Sequence, residues 1–174
     1  MAEKQKRVVG VGQYAVSDGE DQQLITYSLG SCIGLTLWDP TTGVCGLLHA
    51  QMPLSRMAPE RSKKRPALFV DTGVAAMLEE LLGLGATRRQ LVACVAGAAT
   101  LLDDDRFFDV GRRNHLITRK MLWKNGILVA AEDVGGGWSR TLWLDTATGY
   151  AGLKRQGSVI DLHPGLSGTA AGSN

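Results

Sequence analysis

Residues 24–52 read LITYSLGSCIGLTLWDPTTGVCGLLHAQM, and their pattern is strand, glycine corner, strand, turn, strand. Asp39-Pro40-Thr41-Thr42-Gly43 makes the turn, because proline presets φ for a type I turn and glycine accepts the positive φ that follows. After the corner, Ile33, Leu35 and Leu37 point to one face while Cys32, Gly34 and Thr36 point to the other. If residues 39–42 form the loop, Trp38 faces Gly43, and the same register sets Cys32 opposite His49. Side chains directly opposite on antiparallel strands have Cβ atoms about 4.5–5.5 Å apart. The hairpin therefore brings a thiol to an imidazole, unless a bulge or a one-residue slip intervenes.

Outward from this hairpin, "RVVGVGQYA" at 7–15 reads as one strand, followed by a polar loop at 17–23. Residues 53–68 carry three prolines and a basic cluster, which reads as a long, solvated surface loop. An amphipathic helix is expected over 72–83, with Val74, Leu78, Leu81 and Leu82 on one face, Asp71 or Thr72 as cap, and Gly83 and Gly85 at its end. Thr87 and Gln90 have capping-box spacing for a short turn. "LVACVAGAA" at 91–99 is apolar throughout, as a strand covered on both faces would be. A second helix is expected over 110–124, closing at Asn125-Gly126. A strand "ILVAAEDV" and a hairpin of "RTLWLD" and "YAGLKR" follow. Asp103, Asp104 and Asp105 read as a solvated loop, since no oxygen-rich cage stands near them in sequence. Gly135, Gly136 and Gly137 read as a turn between strands: no helix and no Lys-Ser/Thr pair follows to make a phosphate loop. The tail after His163 is rich in Gly, Ser, Ala and Thr and is expected to be disordered. Strands outnumber helices, and two helices are long enough to cover a sheet. The expected class is α/β, with stacked sheets and helices on one face.

Composition limits the function. At 174 residues the chain fits one domain whose core needs no staples. A net charge of +2 and 6% aromatic residues offer little to nucleic acid, neither a steering field nor a base-stacking surface. The apolar run near the N-terminus is too short for a signal peptide or a membrane span, so no membrane insertion is expected. Cys32, Cys45 and Cys94 have no CxxC spacing and cannot all pair, which suits reduced thiols in the cytoplasm. His49, His115 and His163 supply no zinc-ligand spacing, so neither metal nor cofactor is expected.

The chemistry concentrates at Cys32 and His49. An imidazole beside a thiol draws its pKa down and yields a thiolate that attacks an electrophilic carbon. Gly30 and Ser31 form a tight corner before Cys32, on which amide N–H groups could converge as an oxyanion hole. The residues alone leave a second reading open, in which Cys32 is a small buried hydrophobe and His49 a satisfied core histidine. Cys45 lies four residues from His49 along the strand, about 13 Å at ~3.3 Å per residue, and Cys94 sits in an apolar strand. Both are poorer nucleophiles.

The stretch 26–53, with its "LGSC" element, "DP" turn and "HAQMP" element, resembles the CheD family of chemoreceptor glutamine deamidases. The similarity continues through "VDTGVAAMLEELLGLGATRRQL", "AGAA", "GRRN" and "DVGGGWSRTLWLDTATGYAGLKR", and covers about residues 8–156. It implies a single deamidase domain over 1–163 with 164–174 as a tail, and a layered αββ sandwich. It also implies Cys32 as nucleophile, His49 as base, and Thr26, six positions before the cysteine, as third member of the triad. The implied substrates are methyl-accepting chemotaxis receptors, and a CheC-type phosphatase is an implied partner. Two other readings stay open: a module that chiefly binds and regulates CheC, and a cysteine amidohydrolase acting on another protein. The chain departs from the family at Gly97-Ala98, where paired glycines are usual after an aromatic at position 96. It departs again at Cys94, where lysine is common, and at Ser139, where glycine is usual.

Overall fold

The computed structural model describes residues 3–100 and 109–166. One five-stranded sheet runs in the order β1 (Gln5–Val8), β3 (Gln22–Leu29), β8 (Arg140–Asp145), β9 (Ala151–Arg155), β10 (Ser158–His163). The other runs β2 (Gln13–Ser17), β5 (Cys45–Ala50), β4 (Ile33–Trp38), β6 (Val92–Gly97), β7 (Leu128–Val134). The sheets stack on a core that draws Leu24, Leu29, Leu142, Leu144 and Leu153 from the first and Trp38, Leu47, Cys94 and Ala96 from the second. Helices α2 (Val70–Gly83) and α3 (Val110–Lys124) cover the opposite face of the second sheet. There Ile33, Leu35, Leu37 and Leu48 meet Val74, Met77, Leu81 and Leu122. Every residue of β4 is buried, as a central strand covered on both faces requires. The layered α/β class read from sequence is the one observed.

Several local expectations are corrected. Residues 7–15 are not one strand. Gly12, at φ +72, turns the chain between β1 and β2, which belong to different sheets. The basic stretch 53–68 is not an open loop: it holds a short helix α1 (Pro59–Lys64), and Ala67 and Leu68 are buried. Helix α2 starts earlier than expected, at Val70, with no side-chain cap. Asp71 instead accepts from the backbone N–H and the hydroxyl of Ser55, at 2.9 and 2.8 Å. Strand β10 is an addition to the expected elements: none of its residues is buried, and its apolar Val159, Ile160 and Leu162 do not alternate strictly. It pairs antiparallel with β9. Residues 164–166, placed in the expected tail, are among the described residues, and the Leu166 N–H donates to the Thr148 carbonyl at 2.8 Å. The rest of that tail and the Asp103–Asp105 expectation lie outside the described residues.

The hairpin register also differs. Trp38 pairs with Cys45 and Gly34 with His49, a shift of two from the expected pairing of Cys32 with His49. Asp39 is the cause. Fully buried, it closes a wider loop by donating its N–H to Val44 O and accepting the Gly43 N–H, both at 2.8 Å. Its carboxylate accepts from the backbone N–H groups of Thr41, Thr42 and Thr87 at 2.8, 3.2 and 3.0 Å. A shift of two preserves facing, so His49 still points into the space between the sheets.

Candidate active site

Thr26 and His49 meet across that space, one from each sheet. Thr26 faces inward two residues after Leu24, by the regular alternation of β3; the strand then bulges between Thr26 and Leu29, with Ser28 at φ +58. The extra residue lets Thr26 and Leu29 both point inward, each fully buried, while Tyr27 and Ser28 face out. On the facing sheet, Gly34 stands beside His49. A Cβ there would lie 2.7 Å from Leu29 Cδ1 and 2.8 Å from Leu142 Cδ2, so glycine lets the sheets close at this point.

The hydrogen bonds fix the tautomer of His49. Thr26 Oγ1 lies 2.6 Å from the Val9 carbonyl, which can only accept, so the single hydroxyl proton goes there. Oγ1 then accepts from His49 Nδ1 at 2.7 Å. The ring proton therefore sits on Nδ1 and the lone pair on Nε2. His49 is 1% exposed, and Nε2 is buried with no hydrogen-bond partner among the described residues.

Cys32 sits one residue before β4, half-buried against the inter-sheet core, and is not a cross-strand partner of His49. The corner that carries it is pinned through three consecutive carbonyls. Gly30 O accepts from Ala99 N–H at 2.9 Å and Cys32 O from Ala98 N–H at 2.8 Å. Ser31 O accepts from Asn114 Nδ2 at 2.9 Å. Because a peptide N–H points away from the carbonyl of the same unit, the N–H groups of Ser31 and Cys32 are directed opposite to these anchors. Gly97, at φ +107, leaves no room for a side chain, since a Cβ there would collide with the Cys32 carbonyl oxygen. Ala98, where the resemblance implies a second glycine, is itself left-handed at φ +52.

Burial sets the electrostatics. It pushes the Cys32 thiol up from its ordinary pKa, offset in part by the residue's own backbone N–H. It pushes His49 down to about 4. Both shifts favour a neutral thiol and a neutral imidazole, not the depressed thiol pKa expected from sequence. Cys45 and Cys94 are pushed up to about 12 and about 11, chiefly by burial.

Two side chains escaped sequence reasoning. Asn114 on α3 donates from Nδ2 to Gln51 O at 2.9 Å as well as to Ser31 O. Arg140, its side chain 1% exposed, pairs with Asp133 at 2.6 Å and donates to Gly97 O at 3.2 Å and Gly135 O at 2.7 Å. It braces the backbone that receives the Cys32 carbonyl. A polar residue inside an amphipathic helix and a lone arginine at a strand start give no signal of these contacts.

The family model for CheD chemotactic sensory transduction matches residues 51–155. A protein of Solibacter usitatus named "Probable chemoreceptor glutamine deamidase CheD" is 44% identical over 157 residues, covering 90% of this chain and 93% of that protein. A namesake from Pyrococcus horikoshii is 40% identical, covering 88% and 95%. "Probable chemoreceptor glutamine deamidase CheD 1" of Syntrophus aciditrophicus is 38% identical, covering 88% and 96%.

Proposed function

From the premise that the chain belongs to the CheD family, we propose that it deamidates chemoreceptor glutamine side chains to glutamate. In this reading Cys32 is the nucleophile, His49 the base and Thr26 the residue that orients the imidazole. The observation that carries it is the buried Nε2 of His49, without a hydrogen-bond partner among the described residues, its lone pair fixed by the bond from Nδ1 to Thr26.

The Cys32 thiol passes its proton to His49 Nε2 as sulfur attacks the carboxamide carbon. The oxyanion that forms accepts from backbone N–H groups of the 30–32 corner, with those of Ser31 and Cys32 directed away from the anchoring carbonyl contacts. Collapse of the tetrahedral adduct breaks the C–N bond. The imidazolium delivers its proton to the departing nitrogen, which leaves as ammonia, and a thioester remains. His49 then takes a proton from water, hydroxide adds to the thioester, and the thiolate leaves and is reprotonated from Nε2. The product is glutamate. Acylation and deacylation each begin from a neutral imidazole, the form His49 takes at neutral pH with its pKa pushed down to about 4. The three cysteines are free, which suits a reducing cytoplasm. Among the described residues no helix is long and apolar enough to cross a membrane.

The test is to incubate the protein with a chemoreceptor cytoplasmic fragment and map amide-to-acid conversion by mass spectrometry. Wild type is expected to convert defined glutamines with release of ammonia, and Cys32→Ala to fold and convert none. Conversion by Cys32→Ala at the wild-type rate would overturn the assignment. A CheC-type phosphatase, the partner implied by family resemblance, should still bind Cys32→Ala, which separates binding from catalysis.

A further inference from the structure

We infer that Asn114 is a positioning residue whose side-chain amide sets the spacing between the corner bearing the nucleophile and the strand end bearing the base. This rests on the Cys32–His49 reading above. Asn114 is fully buried in α3. Its Nδ2 lies 2.9 Å from the carbonyl of Ser31, the residue before Cys32, and 2.9 Å from that of Gln51, two residues after His49. Both neighbours only accept, so the amide nitrogen must face them and each of its two hydrogens is used. Oδ1 is left buried with no partner among the described residues. A buried acceptor without a donor is costly. The fold retains that cost where both donors tie the two segments carrying the reacting groups.

The helix is a firm mount for this clamp. Thr118 Oγ1 donates to the Asn114 carbonyl at 2.8 Å. One turn earlier, Gly111 lies so close to residues 98–99 that a Cβ would stand 2.5 Å from Ala99 O. Those are the residues whose N–H groups hold Cys32 O and Gly30 O. Helix α3 thus reaches the corner by two routes, through Asn114 and through the 98–99 backbone.

The experiment compares full-length wild type, Asn114→Ser, Asn114→Ala and Leu122→Ala, the last a buried residue of the same helix away from the clamp. The readouts are kcat and KM for deamidation of a chemoreceptor fragment, unfolding temperature, and the rate of Cys32 alkylation by iodoacetamide from about pH 5 to 9. Asn114→Ala is expected to lose roughly 10–100-fold in kcat with KM changed by less than about twofold, the scale of a small misplacement of reacting groups. Its alkylation profile should shift from wild type, and Asn114→Ser, which keeps one donor, should fall between. Leu122→Ala should lose unfolding temperature yet keep kcat and the alkylation profile. The clamp is overturned if Asn114→Ala loses rate only as its folded fraction falls, with an unchanged alkylation profile. If Asn114→Ala does not fold, Asn114→Ser decides by the same two readouts. Cys32→Ala is run beside them. Wild-type rate in it would remove the pair reading and the clamp together, whereas an inactive Cys32→Ala with fully active Asn114 variants would remove the clamp alone.

Discussion

The alpha carbon of Gly97 faces the carbonyl oxygen of Cys32 so closely that residue 97 cannot bear a side chain. Its φ of +107 is also a conformation that L residues rarely adopt. Gly97→Ala should therefore push the 30–32 corner away from β6. We expect it to lower stability by about 1–3 kcal/mol, the range for a non-glycine residue forced into a sparse backbone region, and to cut the deamidation rate more than the folded fraction falls. Thermal melts and rate measurements on the same samples check this; a folded variant at wild-type rate would show that the corner tolerates displacement.

Thr26 tests the tautomer. Thr26→Val removes the oxygen that accepts from Nδ1 and donates to Val9 O, leaving two buried polar groups unpaired at about 1–3 kcal/mol each. The rate should drop by no more than the ~10²–10⁴-fold typical of general-base catalysis. Thr26→Ser should recover most of both losses. Ring-nitrogen shifts of labelled His49 should report a protonated Nδ1 in wild type and a mixture of tautomers in Thr26→Val. Equal rates in all three proteins would reduce Thr26 to a strand residue.

Cys32 should be the first cysteine alkylated under native conditions, because Cys45 and Cys94 are buried and Cys32 is only partly so. Its labelling should speed up steadily as pH rises above neutrality, since burial raises its pKa. A flat, fast rate across the acidic range would instead report a standing thiolate–imidazolium pair. Peptide mapping after timed iodoacetamide pulses distinguishes the two.

His49 should make the fold acid-sensitive. Its pKa is about 4 when folded against an ordinary 6.5, so between those values the unfolded chain binds the extra proton. Stability is then fully present above about pH 6.5 and is lost as pH falls toward 4. The single-site contribution is at most about 3 kcal/mol. Urea titrations of wild type and His49→Gln across this range should show a shallower pH dependence in the variant. Parallel curves would mean that the ring titrates in the fold as it does in the unfolded chain.

What the sequence disclosed and what it withheld divide along local against long-range chemistry. Helix α3 falls at 110–124 as its apolar spacing and Asn125-Gly126 close require. The inward facing of His49 survived a register error, because Asp39 widened the hairpin loop by an even step. The buried carboxylate's three N–H contacts include one to Thr87, which no hairpin rule could supply. The strand split at Gly12 was illegible for a related reason: nothing local says that β1 and β2 pair in different sheets. Thr26 could be named only by resemblance, since its partners Val9 and His49 are brought to it by packing between the sheets. Asn114 ends the "GRRN" element of the resemblance, but its role is not legible there, because its two acceptors lie 83 and 63 residues away.

The bond between Thr26 and His49 joins two sheets, and this bears on when the protein becomes armed. All three residues of the proposed triad precede β8 in the chain, between positions 26 and 49. Yet the strand bearing Thr26 pairs with β8, Arg140–Asp145. A growing chain therefore possesses the side chains long before it possesses the site. Glutamine is a common side chain on every neighbouring protein, and a thiol on an unfinished fold has no oriented base to turn on it. On the proposed reading, the oriented base arrives only when the two sheets close on each other.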